Sequence, residues 1–186
     1  ALDYGCGAGR STRFLKQIGL EQVVGVDITE EMLEQARQRE MPGTSYQKIR
    51  SGVLPFEDGA FDLVFSGLVL LEISSAEEIR KVLAELARVV TVQGTVIIMT
   101  CTKEGSITGA DSFEPLLTAE HKDNLKDGDP VPTLIKDTGQ IFNDYFWSDE
   151  FLKAEIEVVG LKVVEVNAPS LKNDTPRFVV YVSKMK

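Results

Sequence analysis

The sequence predicts an α/β protein with a doubly wound, mostly parallel sheet of the seven-stranded type and an antiparallel hairpin at its C-terminal edge. Strand and helix patterns alternate through residue 100, which implies right-handed crossovers and helices on both faces of the sheet. Two closing strand patterns, 161–166 and 177–183, lie close enough in sequence to pair antiparallel. The 186 residues can bury one core, so we expect a single domain spanning 1–186.

Short apolar runs mark the parallel strands. The run at 22–28 is nearly continuous, as in a strand buried on both faces, and it closes with the acidic Asp27. The run at 95–100 is the richest in β-branched residues and follows a predicted turn at Gln93 and Gly94. In order, the predicted parallel strands are 1–4, 22–28, 46–49, 61–66 and 95–100.

Apolar residues at helical spacing separate these strands. The first helix, 11–18, uses Phe14, Leu15 and Ile18, and Gly19 follows it where a C-cap glycine belongs. The spacing therefore predicts an amphipathic helix directly after the first strand.

Capping residues mark the starts of the later helices. Thr29 precedes an acidic first turn, 75–78 is a capping-box pattern, and Ser148 precedes a helix over 149–159. The helix after Thr29 is predicted to turn three residues inward: Met32, Leu33 and Ala36.

The stretch 101–147 breaks the alternation with glycine, proline and charged residues. It predicts a loop too long for a simple connection, which either covers a ligand site or is solvent-exposed padding. An aromatic cluster near its end either walls a pocket or anchors the loop: Phe142, Tyr145, Phe146 and Trp147.

Composition excludes several classes of function. A net charge of −9 repels a phosphate backbone, so nucleic acid is a disfavoured partner, and no apolar run reaches the length of a bilayer span. Cys6 and Cys101 lie far apart in apolar surroundings, which suits a reducing compartment and predicts a cytoplasmic protein. The single histidine, His121, argues against a metal cluster.

The first residues predict that something precedes them. The segment 1–4 resembles the last residues of a strand, and no initiator methionine or signal-like segment stands before it. We therefore expect that an N-terminal part of the fold is missing from this chain.

The segment 3–9, Asp-Tyr-Gly-Cys-Gly-Ala-Gly, joins the first strand to the first helix. Glycines there allow a sharp turn and the close approach of a ligand to helix N–H groups, although such a turn is equally common as a tight connection. Asp27 favours the ligand, because it stands where a mononucleotide-binding unit places the acid that accepts both ribose hydroxyls. Arg10 disfavours a dinucleotide, whose fingerprint requires a small residue at that position.

The spacing of Asp3, Gly5, Gly7 and Gly9 resembles the first motif of class I methyltransferases that use S-adenosylmethionine, which have a Rossmann-like sheet. The resemblance extends to the ubiquinone and menaquinone biosynthesis type through segments 54–64, 66–72 and 85–95. It implies that the acid at position 3 and the turn hold the methionine end of the cofactor, and that the acid closing the second strand holds the ribose. The cofactor-binding residues it implies are Asp3, Gly5, Cys6, Gly7, Gly9, Asp27, Ile28, Met32, Ser51, Gly52 and Ser66.

The sequence also departs from that family. The acid that commonly stands near the adenine is absent from 50–53, so backbone groups or the Ser51 hydroxyl are expected to take its place. Leu71 and Glu72 occupy positions where the family often has histidine, and the usual Lys-Pro-Gly-Gly turn is changed at 92–95.

The resemblance implies methyl transfer to a small-molecule acceptor, with S-adenosylhomocysteine as product and 101–147 as a probable acceptor-site insert. Positioning and desolvation can supply much of the acceleration, so no motif identifies a catalytic residue. Glu72 and His121 are the titratable candidates, and each is otherwise a solvated surface residue. Two alternatives stay open: a cofactor-binding subunit without turnover, and a nicotinamide-dependent oxidoreductase. The sequence predicts neither the acceptor nor the oligomeric state.

Overall fold

The computed structural model describes residues 1–169 and 178–185. Its main sheet contains seven strands in the order β3-β2-β1-β4-β5-β10-β9. Strands β1 to β5 run parallel to one another, and β10 pairs antiparallel with both β5 and β9. The predicted fold class is therefore confirmed. The strands are β1 Leu2–Tyr4, β2 Val23–Asp27, β3 Thr44–Lys48, β4 Phe61–Gly67, β5 Val90–Cys101, β9 Leu161–Asn167 and β10 Phe178–Met185.

Four longer helices accompany the sheet: α1 Arg10–Gln17, α2 Glu30–Arg37, α3 Ala76–Val89 and α6 Asp149–Val158. The fully buried face of α3 and the α6 residues Leu152 and Ile156 belong to the same core as the central strands. That core holds the carboxyl ends of the parallel strands in place, and ligands of open α/β sheets bind at those ends.

Side-chain caps fix two of these helices where the sequence predicts them. The Ser75 hydroxyl accepts a hydrogen bond from the Glu78 amide, and the Ser148 hydroxyl accepts one from the Phe151 amide. Thr29 stands at the N-cap of α2, but its side chain makes no cap bond. Its own amide instead donates to Asp27, so the prediction that the Thr29 side chain caps α2 is wrong.

The inward faces of α1 and α2 differ from the prediction. Phe14 is 58% exposed and Ile18 is 60% exposed, whereas Thr12 is buried beside Leu15. Thr12 donates a hydrogen bond to Asp3 in β1, and this bond turns its side of the helix toward the sheet. In α2 only Met32 departs from the prediction, since it is 43% exposed.

Strand β5 begins directly after α3, with no turn between them. The β4–β5 ladder passes from the pair Phe61–Val90 to the pair Leu63–Thr95, so residues 91–94 form an irregularity within the strand. The predicted turn at Gln93 and Gly94 is thus a bulge, which lets the same strand resume its register at Thr95.

The stretch 101–147 is not a long loop, which corrects the prediction. It forms α4 Lys103–Thr108, α5 Ala119–Asp123 and an antiparallel sheet in the order β6-β7-β8. Prolines obscured this sheet in the sequence. The Pro132 carbonyl accepts a hydrogen bond from Leu116, just after β6, so its missing N–H also faces the β6 side and removes no bond to β8. The strands are β6 Phe113–Pro115, β7 Pro130–Ile135 and β8 Ile141–Tyr145.

The closing hairpin, β9 with β10, forms the antiparallel edge that the sequence predicts. Arg177, predicted to start the last strand, lies outside the described residues. Among the residues that the structure describes, no helix is both long and apolar enough to cross a membrane.

Candidate functional site

The glycine turn after β1 is held against the end of β2. The amides of Gly5 and Cys6 both donate to the Val26 carbonyl, at 2.8 and 3.0 Å. Gly5, Gly7 and Gly9 all have positive φ angles, of 70°, 50° and 76°, which side chains with a Cβ rarely adopt. The predicted glycine spacing thus corresponds to a backbone conformation that depends on glycine.

Asp27, the last residue of β2, links this turn to α2. Its Oδ2 accepts a hydrogen bond from the Gly7 amide at 2.8 Å, and its Oδ1 accepts one from the Thr29 amide at 2.8 Å. Each carboxylate oxygen retains a further lone pair. Asp27 can therefore accept two more donors, such as a pair of vicinal hydroxyl groups.

A cavity of about 500 Å³, here the turn cavity, opens beside the glycine turn at the carboxyl ends of the parallel strands. Its wall contains apolar side chains from α2 and from the segment after β4, together with the Asp27 carboxylate. The predicted cofactor residues that line it are Gly5, Gly7, Asp27, Ile28, Met32 and Ser51. Residues that line it without having been predicted as cofactor contacts include Tyr4, Thr29, Ile49, Leu68, Val69 and Glu78.

Asp3 does not line the turn cavity. It is buried, and its Oδ2 accepts hydrogen bonds from the hydroxyls of Ser11 at 2.7 Å and Thr12 at 2.5 Å. Burial raises the pKa of this carboxyl, and the two hydroxyls oppose that rise. Asp3 thus holds the first turn of α1 through its Oδ2, while its Oδ1 is buried without a hydrogen-bond partner among the described residues. Its contact with the cofactor stays a prediction.

The other predicted cofactor residues lie behind the wall of the turn cavity. Cys6 and Ser66 are buried, and Gly9 is the N-cap of α1, where an added Cβ would lie 2.6 Å from the Tyr46 hydroxyl. The Gly52 amide donates to the Tyr4 hydroxyl at 3.2 Å and so fixes a side chain that does line the cavity. None of these four residues lines the turn cavity, and their cofactor contacts stay predictions.

A second cavity of about 300 Å³, here the insert cavity, lies between the main sheet and the small sheet of 101–147. Leu68 and Glu72 line both cavities, so the two spaces adjoin. Leu68 has a φ of 61°, an uncommon conformation for leucine, at this junction. The insert cavity is lined mainly by apolar and aromatic residues, including Leu71, Cys101, Ala110, Phe113, Val131, Phe142, Tyr145 and Phe178.

Glu72, one of the two predicted catalytic candidates, stands at this junction. It ends a short 3-10 helix, Leu70–Glu72, and is accessible through the open cavities. The surrounding protein nonetheless raises its pKa by desolvation, and the nearby Asp27 charge adds to the rise. Glu72 therefore lies where the two cavities meet.

His121, the other candidate, lies elsewhere. It is exposed on the short helix α5 and lines neither cavity, because the strands of the insert rather than α5 face the main sheet. His121 thus lies away from both cavities, and its role as a catalytic candidate stays a prediction.

The aromatic cluster divides between its two predicted roles. Phe142 and Tyr145 line the insert cavity. Phe146 and Trp147 are buried, and the Trp147 indole donates to the Ile73 carbonyl at 3.0 Å while its ring stacks on Phe151 at 4.7 Å. The first pair walls a pocket, and the second anchors the insert.

Asp144 is a residue that the sequence did not single out. It lies on β8, lines the insert cavity, and its Oδ1 is buried without a hydrogen-bond partner among the described residues. Desolvation, with a smaller contribution from the Glu72 charge, raises its pKa to about 7. The same surroundings raise the pKa of the Cys101 thiol to about 12, so that thiol is neutral.

We expect Asp144→Asn to raise the melting temperature, and to raise it more at pH 8 than at pH 5. In the unfolded chain this carboxyl ionises at about pH 4, whereas in the folded protein it keeps its proton up to about pH 7. Between these values the folded state binds more protons, so its stability falls as the pH rises, and a neutral amide avoids that loss. Thermal unfolding at the two pH values measures the effect.

Asp137→Asn is the matched control, because Asp137 is exposed in the β7–β8 turn and the change in net charge is the same. An equal response of both variants at pH 8 would contradict the buried-carboxyl interpretation.

Comparison with known proteins identifies relatives of this chain. A family model described as a methyltransferase domain matches residues 2–98, which is more than half of the chain. The chain is 36% identical over 124 residues to a malonyl-[acyl-carrier protein] O-methyltransferase from Legionella pneumophila, covering 63% of this chain but 39% of that enzyme. The chain thus spans well under half the length of that relative. It is also 26% identical over 169 residues to an N-demethylindolmycin N-methyltransferase from Streptomyces griseus, covering 89% of this chain and 70% of that protein.

Solved structures share the fold. The PH0226 protein from Pyrococcus horikoshii OT3 matches with a TM-score of 0.75 at 20% identity, covering 100% of this chain and 81% of that one. A putative S-adenosylmethionine dependent methyltransferase from Listeria monocytogenes matches with a TM-score of 0.73 at 18% identity, covering 100% of this chain and 89% of that one. At these identities the likeness concerns the fold alone.

Proposed function

The chain belongs to the methyltransferase domain family, and from that premise we propose that it transfers a methyl group from S-adenosylmethionine to a small-molecule acceptor. S-Adenosylhomocysteine is the second product. The observation that carries the proposal is the pair of adjoining cavities: one holds the glycine turn and Asp27, the other lies under the insert, and both are lined by Leu68 and Glu72.

The residues of the turn cavity fit the cofactor. Asp27 offers free lone pairs to the two ribose hydroxyls, and an added Cβ at Gly7 would meet no atom within 4 Å, which leaves room for a ligand against the backbone. Ile28 and Met32 are exposed apolar side chains on the same wall, where an adenine ring would cover them, and Ser51 lies within the same lining. These residues would hold the cofactor in the turn cavity.

The bound cofactor supplies an electrophilic methyl group on a positively charged sulfur. The protein would supply position, because the insert cavity adjoins the turn cavity at Leu68 and Glu72 and would hold a nucleophile beside the bound cofactor. We propose that 1–186 works as a single domain with 101–147 as its acceptor-site insert.

The names of the relatives do not settle the acceptor. One relative is an O-methyltransferase for a malonyl carrier protein and the other is an N-methyltransferase. We propose a small-molecule acceptor because the insert cavity has a volume of about 300 Å³, which suits a small organic molecule. The free thiols of Cys6 and Cys101 support a reducing compartment, and we propose the cytoplasm.

Calorimetry tests the cofactor assignment. We expect S-adenosylmethionine and S-adenosylhomocysteine to release heat on binding, and NADH to release none. Heat with NADH alone would favour the nicotinamide-dependent alternative and overturn the proposal. Cofactor binding without labelled product across a broad acceptor panel would favour a binding subunit without turnover.

A further inference from the structure

The insert cavity combines apolar walls with two acidic side chains. Glu72 enters it from the segment after β4, and Asp144 enters it from β8. Arg10 is the one cation among the described residues that line it, and Arg10 is exposed to solvent. The cavity therefore favours a positively charged occupant over an anion.

Two carboxyl groups at close quarters resist ionising together, because each charge raises the cost of the other. The Oδ1 atom of Asp144 is buried without a hydrogen-bond partner among the described residues, and within those residues no ion pair to Asp144 is formed. A proton or a cationic ligand is needed to balance the pair. Aromatic rings line the same space and can face a cation: Phe113, Phe142 and Tyr145.

We propose that the acceptor is an amine carrying an apolar group, that it enters the insert cavity as an ammonium ion, and that Asp144 takes the proton it must lose. The inference rests on the proposed function and narrows its substrate class. A hydroxyl acceptor brings no positive charge to the acidic pair, and a carboxylate acceptor adds a third negative charge. An amine instead brings a positive charge to the acidic pair, places that charge near the aromatic rings, and has a proton that Asp144 can accept.

Methyl transfer to an amine conserves both atoms and charge. The ammonium ion R–NH₃⁺ gives a proton to the Asp144 carboxylate and becomes R–NH₂, whose nitrogen lone pair forms the new N–CH₃ bond. The S–CH₃ bond breaks with its electron pair going to sulfur, which gives neutral sulfur in S-adenosylhomocysteine and R–NH₂⁺–CH₃ as product. Glu72, shared by both cavities, offsets the positive charges on either side of the junction.

The pH dependence follows from the groups that face Asp144. These are Glu72 from the segment after β4, Cys101 from β5, Arg10 from α1 and the neighbouring Tyr145 on β8. Cys101 is neutral and Arg10 is charged throughout the neutral range, so the acidic pair governs the change. Since the pKa of Asp144 is raised to about 7, affinity for an ammonium ion should rise between pH 6 and pH 8.

Calorimetry on the protein saturated with S-adenosylhomocysteine tests this with two probes of one shape, 2-phenylethylamine and 2-phenylethanol. We expect the amine to bind at least about tenfold more tightly than the alcohol at pH 8, with the preference shrinking at pH 6. Asp144→Asn should sharply reduce the preference and remove its rise between pH 6 and pH 8, and Asp137→Asn should retain both. Glu72→Gln should weaken binding of the amine and leave the affinity for the alcohol unchanged.

Equal affinities for amine and alcohol, or a preference that Asp144→Asn leaves undiminished, would overturn the inference. Failure of S-adenosylhomocysteine to bind at the first stage would instead count against the proposed function. Because the melting temperature of Asp144→Asn is expected to be unchanged or higher, loss of amine binding in that variant reports on the carboxylate rather than on unfolding.

Discussion

Asp27→Ala is expected to weaken S-adenosylhomocysteine binding by about 100-fold or more. The carboxylate accepts the amides of Gly7 and Thr29 and faces the turn cavity, so alanine removes the acceptor for the ribose and two bonds that shape the turn. Hydrogen bonds to a charged group contribute about 1.5–3 kcal/mol each, and two ribose bonds account for the expected loss. Isothermal calorimetry measures it directly.

Asp27→Asn separates charge from shape. Its amide oxygen can accept one backbone N–H, but its NH₂ group faces a donor on the other side, so we expect an intermediate loss of affinity. Glu31→Gln is the matched control, because Glu31 is an exposed acid in the first turn of α2 and its loss changes the net charge equally. An Asp27→Ala variant that binds within about threefold of the wild-type protein would place the ribose elsewhere.

The glycine turn and Asp27 could be predicted because their determinants are local. A strand, a glycine-rich turn and a helix follow one another, and the acid closes the very next strand. Parallel pairing of β1 with β2 then brings the turn and Asp27 to the same sheet edge. Sequence order alone therefore places them together.

Asp3 shows where that reasoning stops. The motif groups it with the glycines, but successive strand residues point to opposite faces. Tyr4 lines the turn cavity, whereas Asp3 points toward α1 and binds Ser11 and Thr12. The side on which a strand-end residue lies depends on which face the helix covers, and spacing does not reveal it.

Asp144 could not be found from the sequence for a different reason. Its environment is built by the pairing of β8 with β7 and by Glu72, which comes from a distant part of the chain. Short antiparallel strands that contain prolines carry a weak periodic signal, so 101–147 resembled a loop. Contacts between distant parts of the chain thus determine both the walls of the insert cavity and the raised pKa of Asp144.

Two glycines of the turn, Gly5 and Gly7, share a backbone conformation but differ in their surroundings. Gly5 and Gly7 both have positive φ, but an added Cβ would lie 2.2 Å from Val69 Cγ2 at Gly5 and would meet nothing within 4 Å at Gly7. We expect Gly5→Ala to lower the free energy of unfolding by about 2–5 kcal/mol, from backbone strain and overpacking together. Gly7→Ala should lower it by only about 1–2 kcal/mol, from strain alone.

For cofactor affinity we expect the larger effect at Gly7. The Gly7 methyl would project into space that the turn cavity reserves for a ligand, so a folded Gly7→Ala protein should bind S-adenosylhomocysteine roughly 10- to 100-fold more weakly. Adding Val69→Ala should recover part of the stability lost in Gly5→Ala, measured against Val69→Ala alone in a denaturant double-mutant cycle, and should not restore affinity to Gly7→Ala. If Gly7→Ala bound the cofactor normally, the open space beside Gly7 would not be the cofactor site. If Val69→Ala gave no recovery, the clash at Gly5 would be relieved by backbone movement rather than held by the side chain.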